Sequence, residues 1–187
     1  MQCFSLGNVF WYHIGYGMLT FLVMRFMPLE KRKKILTRAG EGTFTEKISA
    51  LVSRISRWGI MAVSFFVPFC SNLFMVIIGN LLYFVGLILA TVAMWQFSKA
   101  ETNRPITKGI YRISRNPMQV MCFVMYIGIA VAAGNIILSV LTLINIVTSY
   151  PMFFIQERYC LEKYGKEYQV YMQKTPRILL IRPNSWN

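Results

Sequence analysis

The chain has 187 residues, 56% of them hydrophobic and only 14% charged, against roughly 25% charged in an ordinary soluble domain. That balance excludes a soluble globular fold and points to a small all-α bundle in a membrane. Twenty Lys and Arg against seven acids give a net charge of +13. The basic residues sit in inter-helix stretches with no nucleic-acid-binding motif, so orientation in the bilayer explains them and nucleic acid is excluded as a partner.

Met1 to Met24 is uncharged and is followed by Arg25 and by Glu30-Lys-Arg-Lys-Lys34. A secretory signal carries its positive charge ahead of the apolar stretch and a small-residue cleavage site after it. Here the charge lies behind, which predicts a retained first helix with its N-terminus outside. His13, the single histidine, reads as a polar contact or an interfacial residue. Pro28 to Lys47 is polar, contains Gly40 and Gly42, and reads as an exposed loop.

Lys47 to Val67 suits a second helix of roughly spanning length. Arg54 and Arg57, one turn apart near its start, are expected to snorkel to lipid headgroups. Gly59 to Ser98 holds 40 uncharged residues, about twice what one crossing needs. The chain must therefore turn back, and Pro68-Phe-Cys-Ser-Asn72 is the best place. Leu73 to Phe97 becomes a third helix, with Trp95 at an interfacial end and Asn80 bonding across to a neighbour. Cys70 and Cys122 read as small apolar residues in the bilayer. With four scattered cysteines and no C-x-x-C pair, no zinc or other metal site is expected.

Pro117 to Gln156 is a second run of 40 uncharged residues, with a turn signal at Gly134-Asn135. It predicts a tight helical hairpin whose first arm, Pro117 to Ala133, is short for a full crossing. Pro151 would kink the second arm. Glu157 to Thr175 is polar and helix-favouring, with Gly165 as a break. Leu161, Tyr164, Tyr168 and Tyr171 recur at helical spacing, an amphipathic stripe suited to packing on the membrane domain. Five transmembrane segments result, residues 1–98 carrying three of them. The remaining residues, 99–187, form a core of basic loop, hairpin and cytosolic C-terminal helix. All Lys, Arg and Glu then fall on one face, which the positive-inside rule makes cytosolic.

Between the two uncharged runs lies Lys108-Gly-Ile-Tyr-Arg-Ile-Ser-Arg-Asn-Pro-Met118. A basic cluster at such a boundary commonly anchors a helix end at lipid headgroups. The spacing here is tighter than an anchor needs. Gly109 permits a turn, Pro117 fits the first turn of the next helix, and Arg112 and Arg115 between them could hold an anion. If the hairpin closes, Arg115 and Glu157 return to the same membrane face at the edge of a low-dielectric region.

Together with Glu157-Arg-Tyr-Cys-Leu-Glu-Lys-Tyr-Gly-Lys-Glu-Tyr168 and Tyr171-Met-Gln-Lys-Thr-Pro-Arg177, this loop resembles the C-terminal core of a known superfamily. It is that of the isoprenylcysteine carboxyl methyltransferases and phospholipid methyltransferases. The likeness covers residues 99–178; Gln119 and Met121 depart from the family pattern. It implies an integral membrane enzyme that binds S-adenosylmethionine between the loop and the C-terminal helix, while a lipophilic acceptor enters from the bilayer. The residues it implies for the cofactor are Lys108, Gly109, Tyr111, Arg112, Arg115, Asn116, Pro117, Glu157 and Tyr164. Arg112 or Arg115 would hold the methionine carboxylate, and Tyr111 and Tyr164 the adenosine. Arg115 and Glu157 are the expected catalytic pair. The acceptor is a prenylcysteine carboxylate or lipid-like molecule, with a phospholipid amine or a small thiol as alternatives. Membrane sterol reductases, which bind NADPH, share the architecture and a stretch similar to Cys160-Leu-Glu-Lys-Tyr-Gly165, but have about twice as many helices. A non-enzymatic membrane protein of the same fold is the other alternative.

Overall fold

A computed structural model of the protein describes residues 7–29 and 42–178. The described residues form six α-helices and no strand, apart from an isolated bridge between Asn8 and Pro68. The helices are α1 (Trp11–Arg25), α2 (Phe44–Ser64), α3 (Leu73–Lys99), α4 (Pro117–Ala133), α5 (Ile136–Tyr164) and α6 (Lys166–Lys174), with a 3-10 turn at Gly109–Arg112. Local chemistry sets most of the boundaries. Thr43 and Glu46 form a capping box that starts α2 three residues before the expected Lys47. The Asn72 side chain accepts from the backbone of Phe74 and Met75 to open α3. Gly134, at φ 57°, closes α4, and Asn135 caps α5 through Ile137 and Leu138. The turns at 68–72 and 134–135 thus fall where the sequence predicts them.

Two of these helices, α3 and α5, are long and apolar enough to cross a membrane, and α4 is a shorter apolar helix of 17 residues. At about 40 Å, α3 exceeds the hydrocarbon thickness, whereas α4 at about 25 Å falls short of it. Helix α2 is long enough to cross but carries polar residues along one face, so among the described residues α3 and α5 are the two clear candidate spans. The C-terminal part differs from expectation. Helix α5 runs through Pro151 and past Glu157 to Tyr164, so Glu157 lies inside a long helix rather than at the start of a new one. Only the piece after Gly165 (φ 52°) forms a separate helix. Pro151 is accommodated within α5, as prolines are in membrane helices whose freed backbone groups can find other partners.

Two helix pairs make up the bundle. Helices α3 and α4 approach closely through glycines: a Cβ on Gly86 would stand 2.8 Å from the Met121 carbonyl, and one on Gly128 2.6 Å from the Tyr83 amide. Helices α2 and α5 are joined by polar side chains instead. Ser53 Oγ lies 2.6 Å from Ser149 Oγ, and Asn145 Nδ2 donates to the Ser53 carbonyl (2.8 Å) and to Ser56 Oγ (3.2 Å). Helix α1 rests on α3, where Tyr12 donates to Asn80 Oδ1 at 2.7 Å, the cross-helix bond expected of Asn80. His13 meets Ser64 Oγ at 3.1 Å, a polar contact across to α2. The core between the pairs is filled by Tyr83, Met125, Ile129, Leu138 and Phe153. Leu73, Ile77, Leu81, Phe84 and Ile88 leave an exposed apolar stripe on α3 that suits acyl chains.

Candidate active site

The loop between α3 and α4 is held from three sides. Gly109 takes a positive φ of 61°, and a Cβ there would collide with the Gln96 amide, whose oxygen accepts from Ile110 N–H at 3.2 Å. The position is thus closed to other residues by conformation and by space. Tyr111 is buried; its hydroxyl reaches the Ala93 carbonyl (3.4 Å), and its own carbonyl accepts from Tyr171 Oη at 2.5 Å. Ser114 Oγ accepts from Asn116 N–H (3.1 Å) and donates to the Arg177 carbonyl (3.0 Å). Arg115 N–H donates to the Pro176 carbonyl at 2.9 Å. A strap of residues 175–178 therefore clips the loop in place.

The hairpin turn at Gly134-Asn135 brings Glu157 of α5 back to this loop. Its Oε1 lies 3.3 Å from Arg115 Nη1, with both side chains 5% exposed. Arg177 grips the same carboxylate with both forks, Nε to Oε1 at 2.9 Å and Nη2 to Oε2 at 2.7 Å. These bonds to Glu157 push the Arg177 pKa further up. The Arg177 guanidinium also stacks over Phe154 at 4.1 Å. Two guanidinium groups thus share one carboxylate, leaving a net charge of +1 on the cluster. The Arg115 contact is an ion pair without hydrogen-bond geometry, and Arg115 Nε and Nη1 have no hydrogen-bond acceptor although both are buried.

A cleft opens beside this cluster. Of the expected residues, Tyr111, Arg115, Asn116, Pro117 and Tyr164 line it. Glu157 lies behind Arg115 and does not, and Lys108, Gly109 and Arg112 are exposed away from it. Several lining residues escape the sequence reading: Gln156, Tyr168 and Tyr171, together with Cys160 and Gln119. Tyr168 and Tyr171 read as a packing stripe, and burial does follow that stripe, but their rings also wall the cleft. Burial pushes both phenol pKa values up, so both stay protonated at neutral pH. Arg177 is the other unpredicted residue; only its place at the end of Thr-Pro-Arg177 signals it. Among the described residues no group of three or more His, Cys, Asp or Glu could hold a metal ion.

A family model described as phospholipid methyltransferase matches residues 74–167, from the first turns of α3 through the loop and hairpin into α6. No curated protein and no solved structure matches the chain. With half of its length so matched and its motifs gathered around one cleft, the chain belongs to the phospholipid methyltransferase family of membrane methyltransferases.

Proposed function

We propose that the protein transfers a methyl group from S-adenosylmethionine to the amine of a membrane phospholipid at the Arg115 cleft. The observation that carries this reading is Arg115: a buried guanidinium on the cleft wall, with Nε and Nη1 lacking acceptors. Buried guanidinium N–H groups without acceptors, facing a cleft, suit an anionic group such as the carboxylate of a methionine moiety. The rings of Tyr111, Tyr164, Tyr168 and Tyr171 around it suit a purine face and a sulfonium charge. The family match favours a phospholipid amine as acceptor over a prenylcysteine carboxylate or a small thiol.

Bound in the cleft, S-adenosylmethionine supplies an electrophilic methyl group. The chain's own residues bind, orient and exclude water, which is most of what an in-line displacement needs. Arg115 holds the carboxylate. Glu157, tied on both oxygens by Arg177, sets the pose of Arg115 and acts as a positioning residue. Asn116 and Pro117 present the start of α4 to the cleft, and Lys108 and Arg112, exposed away from it on the same loop, are placed to meet lipid headgroups. Among the described residues lining the cleft none is a carboxylate or imidazole, and burial keeps Tyr168 and Tyr171 neutral. The acceptor amine therefore gives its proton to water and enters neutral, a form that a low-dielectric site favours.

Titrating the purified protein in dodecylmaltoside micelles with S-adenosylmethionine, S-adenosylhomocysteine and NADPH tests this. The first two should bind and compete. Arg115→Ala should weaken them by about 2–5 kcal/mol, the scale for removing one partner of a buried charge pair. Wild-type affinity in that variant, or NADPH binding in place of the sulfonium, overturns the proposal.

A further inference from the structure

Arg57 sits where a charge needs a reason. On α2 the buried positions Ala50, Ser53, Ile60 and Ser64 form the inward stripe, and Arg57 belongs to it, four residues after Ser53 and three before Ile60. Arg54, one turn earlier, is exposed with Leu51, Ile55 and Trp58 on the outward face. The two arginines expected to snorkel alike therefore differ. Arg57 is half-buried, and among the described residues it makes no ion pair. Its depth follows from the helix register. Ser149, bonded to Ser53, lies eight residues before Glu157, roughly 12 Å along α5, and Arg57 lies about 6 Å further from the site end. Helical side chains lean toward their N-terminus, so its guanidinium comes back toward the site.

The surface it meets is polar. Arg57 faces the side of α4 that carries Cys122 and Tyr126, and there Cys122 Sγ contacts Tyr16 Oη of α1 at 3.4 Å. Gln119, Cys122 and Tyr126 are three and seven residues apart and share one face of α4. Gln119 lines the cleft, so this face leads from the cleft to Arg57 over about 10 Å. An ethanolamine headgroup and the reach of an arginine side chain together cover that length. An intramembrane arginine on an inward face marks a ligand or ion path rather than an anchor.

We propose that Arg57 binds the phosphate of the acceptor phospholipid in the seam between α1, α2 and α4, and so selects acceptors with an anion set back from the nucleophile. The acyl chains lie deeper, the phosphate sits at Arg57, and the amine extends along Gln119 to the cleft. A prenylcysteine does not satisfy this arrangement, because its only anion is the reacting group itself. The inference rests on the reading of the cleft as a methyl-transfer site for lipid amines.

The test compares wild type, Arg57→Gln, Arg57→Lys and Arg54→Gln in phosphate-free dodecylmaltoside micelles. Three readouts are taken: S-adenosylmethionine affinity, phosphatidylethanolamine retained in native mass spectrometry, and methyl transfer to phosphatidylethanolamine against a long-chain alkylamine. Arg57→Gln should lose the retained phospholipid and raise the KM for phosphatidylethanolamine at least tenfold. Its cofactor affinity and its use of the alkylamine should not change. Arg57→Lys should recover part of the retention, and Arg54→Gln should match wild type. Should Arg57→Gln fail to fold, Arg57→Met carries the same expectation. Unaltered retention and unaltered selectivity in a folded Arg57 variant overturn the inference, as does displacement of the lipid by millimolar inorganic phosphate. If wild type binds no S-adenosylmethionine yet Arg57→Gln still loses its phospholipid, the methyl-transfer reading fails and the phosphate site stands.

Discussion

One carboxylate serving two guanidinium groups is a costly arrangement to disturb. Glu157 is 5% exposed and Arg115 likewise, while Arg177 keeps 26% of its side chain in solvent. Removing the carboxylate charge leaves two cations facing each other at the edge of the membrane. Breaking a fully buried pair costs about 3–5 kcal/mol; the partial exposure of Arg177 brings the expectation for Glu157→Gln down to about 2–3 kcal/mol. Denaturant or thermal unfolding in micelles measures it. Adding Arg177→Met to Glu157→Gln should recover part of the loss, because one orphaned charge disappears with it. An unchanged midpoint in Glu157→Gln would mean that the cluster contributes nothing to stability. The meeting of Arg115 and Glu157 was legible in the sequence, since a symmetric hairpin returns its two mouths to one face. The claim of Arg177 on the same carboxylate was not, because nothing local to residues 175–178 predicts that the strap turns back onto the loop.

Helix pairs in this bundle are held by opposite means, and each responds to substitution in its own way. Between α3 and α4 the backbones nearly touch. A Cβ on Gly128 would stand 2.6 Å from the Tyr83 amide and 2.7 Å from the Gly79 carbonyl, so Gly128→Ala must push the helices apart. Overpacking of this kind costs about 1–3 kcal/mol. Gly17 of α1 has nothing within 4 Å of an added Cβ, and Gly17→Ala should be neutral or slightly stabilising. Thermal unfolding of the two variants side by side checks the contrast, and equal midpoints would remove the close-packing account. The apolar runs announce these helices plainly. Their pairing is hidden, because Gly79, Gly86 and Gly128 look like ordinary small residues until the partner's backbone is beside them. Ser53, Ser56 and Asn145 are hidden for a related reason. Each is unremarkable alone, and their value arises only where water is absent and each must satisfy another.

For the whole molecule, the distribution of charge and the geometry of the ends agree on two faces. The Gly7–Phe69 and Cys70–Ala132 backbone bonds gather the start of α1, the α2–α3 turn and the end of α4 at the end opposite the cleft. The basic loop and Glu157 lie at the other. By the positive-inside rule the cleft face is expected to be the cytosolic one. Cysteines introduced at the exposed positions Lys108 and Ser71 should then react with impermeant thiol reagents from opposite sides, Lys108 from the cytosol. Labelling of both from one side would remove the topology. Charge asymmetry gives the sequence an expected orientation, whereas α2 is hard to read as a crossing because it mixes an exposed apolar row of Ile48, Leu51, Ile55 and Trp58 with a polar inner row.

The strap at 175–178 also fixes the order in which the site can come into being. Arg115 leaves the ribosome about sixty residues ahead of Pro176 and Arg177, the groups that clip its loop and share its counter-ion. The intervening chain is the entire hairpin. Until that hairpin has inserted and doubled back, the loop is an unfastened basic segment with no cleft beside it. A nascent or misinserted bundle therefore lacks the fastening of the Arg115 loop, which is completed only when the last described residues have emerged and turned back.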